Sequence, residues 1–153
     1  MLDSFGDSVL GRNTWGDALL MVFSDVVTAG HAAMAFQDVM SGVDLERVGL
    51  PDDLGLRIGV HVGPVLFRPD PVRAMPGWWG RELTRAAHIE PRTPEGEVYA
   101  TDAFAALLAC EPESGLACEY VGRDTTAKDF ETIPMYRIWR QSSAKVASED
   151  REI

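Results

Sequence analysis

Short apolar runs separated by polar turns open the chain. The segments SVLGRN (residues 8–13) and ALLMVF (residues 18–23) predict two β-strands. The turn from Thr14 to Asp17 joins them, and Gly16 supplies the backbone freedom that a tight turn needs. This pattern predicts a β-hairpin.

From residue 26 onward the apolar residues recur every three or four positions, which predicts a helix. Ser24 can cap this helix, which we expect to extend from Asp25 to Met40. Its apolar face is expected to consist of Val26, Ala29, Ala33, Phe36 and Met40.

The rest of the chain predicts alternating strands and helices. LGLRIGVHVGPVLF is typical of a buried strand that bends at Gly63 and Pro64, RPDPVRAMPG of a loop, and WWGRELTRAAHIE of a helix that ends before Pro91. GEVYA predicts a short strand, Thr101 caps a helix in DAFAALLA, and ACEYVGR and IPMYRIWR predict a closing pair of strands. Residues 141–153 lack apolar periodicity and predict a flexible tail.

Length and charge restrict the classes of function. The 153 residues suffice for one domain with a real core, and a net charge of −10 argues against nucleic acid as a partner, because phosphate contacts need clustered cations. Cys110 and Cys118 give no disulfide framework, so we expect reduced thiols. The chain shows neither a basic leader nor an apolar run of membrane-spanning length, which favours a cytoplasmic protein without a membrane partner.

Five segments in a fixed order resemble the catalytic domain of the class III adenylate and guanylate cyclases. They are WGDALLMVF, LRIGVHVGPV, WWGRELTRAAHIE, GEVYATDAFAALL and AKDFETIPMYRIW, and they span roughly residues 9–140. The resemblance implies an α+β, ferredoxin-like nucleotidyl cyclase fold over residues 1–140, with a mostly antiparallel sheet backed by helices. It also implies a head-to-tail homodimer or heterodimer with ATP or GTP at the interface.

The resemblance gives Asp17 a metal-binding role. In the family, the Gly-Asp turn of this hairpin carries one of two aspartates that hold two ions of Mg²⁺ or Mn²⁺, which activate the ribose 3′-hydroxyl for attack on the α-phosphorus. The other aspartate lies on the family's first strand, in a segment resembling Phe-x-Asp-Ile-x-x-Phe-Thr. The chain begins too late to contain that strand, and one aspartate is a poor site for two metals. The alternative is that Asp17 is an ordinary turn residue.

Four further family positions are changed in this chain. The lysine four residues before the metal aspartate corresponds to Asn13, and the base-selecting aspartate before the Trp-Gly step corresponds to Gly77. The asparagine that orients the ribose corresponds to Thr84, and the arginine that neutralises the transferred phosphoryl group corresponds to His88. Their i, i+4 spacing keeps both on one helix face, but a neutral imidazole cannot replace a permanently charged guanidinium. A surface histidine without such a role is the alternative for His88.

One phosphate-binding position is retained, and two other groups are ambiguous. Lys128 matches the family's phosphate-binding lysine, with an exposed loop lysine as the alternative. Trp78 and Trp79 are interpreted as core or interface packing rather than as a base-stacking platform. His31 and His61 lack partners at metal-ligand spacing, and we expect His61 on the less apolar face of its strand.

The sequence therefore predicts a degenerate, dimerising and regulatory pseudo-cyclase that binds nucleotide weakly at most. The first alternative is an active adenylate cyclase, which converts ATP to cyclic AMP and pyrophosphate when a partner or missing N-terminal sequence supplies the absent aspartate. The second alternative is a purely structural dimerisation domain that binds no nucleotide.

Overall fold

A four-stranded mixed sheet forms the centre of the structure, a computed structural model that describes residues 2–70, 75–125 and 132–141. Its strand order is β3-β6-β8-β7, in which β3 and β6 run parallel and the other two pairs run antiparallel. Two separate antiparallel hairpins, β1-β2 and β4-β5, accompany it. In chain order the elements are β1 (Val9–Trp15), β2 (Ala18–Phe23), α1 (Val26–Ser41), β3 (Ile58–Val60), β4 (Leu66–Pro69), β5 (Pro76–Trp79), α2 (Arg81–Ile89), β6 (Val98–Thr101), α3 (Asp102–Leu108), β7 (Leu116–Thr125) and β8 (Thr132–Arg140).

This arrangement confirms the predicted α+β class. It also confirms the opening hairpin, the short strand β6, the helix capped by Thr101 and the closing pair of strands. Short 3-10 turns precede β1, at Leu2–Ser8, and no ladder joins β2 to β3 within the described ranges. The predicted tail falls outside the described residues beyond residue 141.

Helices cover both faces of the four-stranded sheet. On one face, α1 and α3 enclose a core centred on Phe104, and on the other face α2 contributes Ile89 to a smaller cluster. The first core consists of Ala33, Val98, Ala100, Phe104, Leu108, Leu116 and Ile138, and the second of Ile89, Ile133 and Met135. The apolar area removed from water in these two clusters supplies the main driving force for the fold.

The segment that begins at β3 alternates between the two faces. Ile58, Val60 and Val62 pack against the first core, whereas Gly59 and Gly63 lie under α2. A Cβ atom on Gly59 would lie 2.6 Å from the Ala86 carbonyl oxygen. Glycine at position 59 therefore lets the α2 backbone rest directly on the strand.

Helix α1 begins one residue later than expected, because Asp25 and not Ser24 is its N-cap. The Asp25 carboxylate accepts a hydrogen bond from the Thr28 backbone N–H at 2.7 Å, and this bond lowers the pKa of the carboxyl group. Ser24 instead donates its hydroxyl to Asp25. At the far end, the Arg140 guanidinium holds Asp38 with two hydrogen bonds of 2.9 and 2.6 Å, which ties the helix to the last strand.

Two other predictions of secondary structure are wrong in part. Trp78 and Trp79 belong to strand β5 and not to the following helix. Gly80 has a φ of 149°, which lies outside the helical region, so α2 begins only at Arg81. The segment LGLRIGVHVGPVLF is interrupted at Gly63 and Pro64 as predicted, but it is not buried throughout: β3 is three residues long, and β4 is a separate, exposed strand. The expected loop, residues 68–77, overlaps the paired ends of the antiparallel strands β4 and β5. Its residues 71–74 lie outside the described residues.

Both cysteines are free thiols, as expected. None of the helices in the described ranges has the length and the apolar character that crossing a bilayer requires.

Replacement of Gly59 by alanine tests the close packing of α2 on β3. The new Cβ would meet backbone atoms that cannot rotate away, so we expect Gly59→Ala to lower the free energy of unfolding by about 1–3 kcal/mol. Chemical denaturation measures the loss. Gly42→Ala is the matched control, because its nearest neighbour would lie 3.5 Å away at an ordinary φ of −88°. Equal stability of the two variants would contradict the packing argument.

Candidate functional site

The β1-β2 hairpin presents Asn13 and Asp17 to solvent. Gly16 takes the left-handed conformation at φ 63°, which closes the turn and leaves Asp17 exposed at its tip. The Asn13 side chain is exposed as well, and its Oδ1 accepts a hydrogen bond from the Thr14 N–H at 2.9 Å. The hairpin therefore holds both polar groups on a rigid support.

The second hairpin packs against the first through a tryptophan. Trp78 lies so close to Gly11 that any Cβ at position 11 would clash with its indole ring. Trp78 also contacts the Phe67 ring, with centroids 5.1 Å apart. These contacts bring the strand that carries Asn13 against the strand that carries Gly77.

The two tryptophans differ in exposure. The packing of Trp78 favours the interpretation of this residue as packing rather than as a base-stacking platform, whereas Trp79 is exposed.

Thr84 and His88 both lie on the exposed face of α2, as their spacing predicts. His88 stands in the last turn of the helix, one turn after Thr84. Arg81, at the start of the helix, is largely exposed, and Arg85 lies beside Glu82. The face thus offers a hydroxyl and an imidazole to solvent.

His61 lies on the less apolar face of its segment, as predicted, because Val60 and Val62 pack against the first core while His61 faces α2. The sequence interpretation missed its burial: the side chain is only 3% exposed and lies between α2 and the N-terminus of α3. Nε2 donates to Glu82 Oε2 at 2.7 Å, and Nδ1 lies 2.7 Å from Thr101 Oγ1. The alternation Gly59-x-His61-x-Gly63 could have indicated the burial of His61, because two glycines beside a polar residue indicate a helix packed on that face.

The groups around Glu82 favour the ionised form of its carboxyl. The hydrogen bond from His61 lowers the pKa of the Glu82 carboxyl, against the effect of burial, and Arg85 and Arg81 lower it further. Arg85 Nε lies 3.7 Å from Glu82 Oε2, and Arg81 Nε lies 3.5 Å from Oε1. The carboxylate therefore joins the sheet to α2 through His61.

The remaining residues that the sequence singled out are Lys128 and His31. Lys128 lies outside the described residues. His31 is 2.9 Å from the Ser114 carbonyl oxygen, a contact between α1 and the turn before β7. The parts of the chain that the structure describes contain no group of three His, Cys, Asp or Glu side chains placed to hold a metal ion, so Asp17 alone does not fit a two-metal arrangement.

Comparison with solved structures identifies the fold. The chain superimposes on the adenylyl cyclase CyaB from P. aeruginosa with a TM-score of 0.74 at 17% identity, over 92% of this chain and 75% of that one. The guanylate cyclase domain of RhGC from Catenaria anguillulae, in complex with GTP, gives 0.65 at 17% identity over 86% and 72%. A non-canonical dimeric guanylyl cyclase domain from Blastocladiella emersonii gives 0.66 at 15% identity over 86% and 72%.

The chain therefore has the fold of the adenylyl and guanylyl cyclase catalytic domains. This likeness is one of structure, since no family model matches the sequence and no curated protein matches it significantly.

Removal of the Glu82 charge tests the junction between β3 and α2. A carboxyl whose pKa is lowered on folding stabilises the fold above its unfolded pKa of about 4.3, and this contribution disappears as the pH falls through the lower folded value. We therefore expect Glu82→Gln to lower the free energy of unfolding by about 1–3 kcal/mol at pH 7 and by progressively less in acid.

Urea denaturation of both proteins between pH 7 and pH 3 measures this difference. The matched control is Glu111→Gln, which removes an exposed carboxylate before β7. A difference between wild type and Glu82→Gln that stays constant with pH would show that the ionised carboxylate does not stabilise this junction.

Proposed function

We propose that the chain is a dimerising, regulatory pseudo-cyclase that binds nucleotide weakly at most. The observation that carries this proposal is the exposed face of α2, where Thr84 and His88 occupy the positions that resemble the ribose-orienting and phosphoryl-neutralising residues of active cyclases. Threonine has a shorter reach than asparagine, and an imidazole lacks the fixed fork of five donors of a guanidinium.

The neighbouring cations do not compensate for this change. Glu82 draws both Arg81 and Arg85 towards its carboxylate. Arg85 is half-buried on the side of the helix that faces the sheet rather than beside Thr84 and His88. Arg81 is exposed but lies beside Glu82, two turns before His88, so no guanidinium stands at the position that resembles the phosphoryl-neutralising arginine.

The two hairpins support the dimeric part of the proposal. They expose large apolar side chains, and an exposed apolar surface of this kind is typical of an interface. The hairpin surface consists of Leu10, Trp15, Leu19, Leu66, Phe67, Met75 and Trp79. A second copy of the chain is the simplest occupant, because one of the structural neighbours is a dimeric cyclase domain.

A second candidate function is an active adenylate cyclase whose missing metal ligand comes from a partner or from sequence upstream. The position of Asp17 favours it, since a carboxylate exposed at the tip of a rigid turn remains open to a metal ion. Mg²⁺ or Mn²⁺ would then be required.

Product analysis distinguishes the two functions. We expect the purified chain to make no detectable cyclic nucleotide from ATP or GTP with Mg²⁺ or Mn²⁺, because the loss of one well-placed transition-state donor alone costs about 10²–10³-fold in turnover. Mass spectrometry of the products is the measurement, with Asp17→Ala as the control. Turnover that disappears in Asp17→Ala would establish the active-cyclase alternative. Calorimetric titration with ATP and GTP then separates a weak binder from a purely structural domain.

Substitution on the hairpin surface tests dimerisation. We expect the wild-type chain to sediment as a dimer at micromolar concentration, and the double variant Leu19→Ser/Leu66→Ser to weaken self-association by about tenfold or more, since it removes two exposed apolar side chains. Leu107→Ser is the matched control, because Leu107 is equally exposed but lies on α3. A wild-type monomer, or an equal effect of the control, would remove the hairpin surface from the interface.

A further inference from the structure

A second set of exposed apolar side chains lies in the segment that begins at the C-terminal end of α1. Val39 on the last turns of the helix is 53% exposed, and Val48 in the following 3-10 turn is 60% exposed. We call this set the α1-end patch, and its members are Val39, Val43, Val48, Leu50 and Leu54. None of these residues belongs to the two hairpins, so the patch is separate from the hairpin surface.

The backbone holds the patch in a defined shape. Turn hydrogen bonds connect Val43 N–H to the Met40 carbonyl, Leu50 N–H to the Leu45 carbonyl, and Leu54 N–H to the Pro51 carbonyl, at 3.1, 3.0 and 3.3 Å. These turns keep the apolar side chains within one short, compact segment.

The side chain of Gln37 fixes this segment to the rest of the molecule. Gln37 is buried, and its amide donates to the carbonyl oxygens of Leu56 and Glu97 at 3.0 and 2.9 Å. The backbone two residues after the patch is thereby joined to α1, and α1 to the residue that precedes β6. A binding surface anchored in this way loses little conformational entropy when a partner docks.

The rim of the patch is acidic. Asp44, Glu46, Asp52 and Asp53 are all exposed, and Arg47 is the only cation between residues 42 and 54. The nearby carboxylate of Asp38 is already paired with Arg140 and contributes little free charge.

From these features we propose that the α1-end patch binds a basic amphipathic helix of a partner protein. The apolar face of such a helix would cover the valine and leucine side chains, while its lysine and arginine side chains would meet the acidic rim. A helix fits better than a strand, because residues 42–54 form turns and offer no strand edge for pairing.

The charge of the chain argues against two other occupants. A second copy docked patch to patch would bring two acidic rims together. An anionic membrane would be repelled for the same reason.

An NMR titration with a synthetic peptide tests this proposal. The probe is a leucine–lysine amphipathic helix, and a leucine–glutamate helix of equal length and pattern is its counterpart. We expect saturable binding of the lysine peptide, with chemical-shift changes concentrated in residues 39–54, and at least about tenfold weaker binding of the glutamate peptide. Shift changes centred on the β1-β2 and β4-β5 hairpins, or equal binding of both peptides, would overturn the proposal.

Substitutions in the patch make the test specific. Val48→Ser/Leu50→Ser should weaken binding of the lysine peptide by about tenfold, because two apolar contacts are lost. Asp52→Asn/Asp53→Asn should weaken it severalfold and reduce its salt dependence. Leu107→Ser, which is equally exposed but distant in the chain, should leave binding unchanged. All three proteins should keep the wild-type circular dichroism spectrum, since the altered side chains are exposed.

Two outcomes would assign the patch to a different occupant. Self-association that disappears in Val48→Ser/Leu50→Ser, without peptide binding, would identify a contact between copies of the chain. Co-sedimentation with phosphatidylserine vesicles that depends on the same residues would identify a membrane surface. Either result overturns the proposal and does not affect the proposed pseudo-cyclase function, which is tested at α2 and at the hairpins.

Discussion

The close contact between α2 and β3 determines most of the structure around the candidate site. Gly59 allows the helix backbone to approach the strand, and the buried imidazole of His61 then joins three elements: the end of β3, Glu82 on α2, and Thr101 at the N-terminus of α3. Thr101 also accepts a hydrogen bond from the Phe104 N–H, so the same hydroxyl caps the helix. A polar group so deeply buried is tolerated because both ring nitrogens have partners.

The sequence could predict those elements whose pattern is local. A glycine turn between two strands, apolar residues at helical spacing, and a threonine before an apolar helix each depend on a few neighbouring residues, and the structure contains all three elements. The sequence reasoning missed the contacts that depend on residues distant in the chain. Trp78 packs on Gly11 and Phe67, and His61 is buried beside Glu82 and Thr101. The periodicity of the local sequence contains no information on such partners.

In the candidate site, the position of the helix and the chemistry of its exposed side chains depend on different residues. Packing constraints such as Gly59 fix where α2 lies, whereas Thr84 and His88 face solvent and contribute little to that packing. Exposed positions can change their chemistry without a large cost in stability. A fold that superimposes on a cyclase with a TM-score of 0.74 at 17% identity is consistent with this separation.

The parallel pairing of β3 with β6 also has a kinetic consequence. Ile58 lies opposite Val98, so this ladder closes a loop of about 40 residues, whereas the β1-β2 and β4-β5 hairpins join near neighbours in the chain. Helix α2 lies inside that loop and packs on both of its ends, on β3 and on β6, so its packing is complete only when the loop has closed. The helix that carries Thr84 and His88 should therefore reach its final packing after the two hairpins have formed.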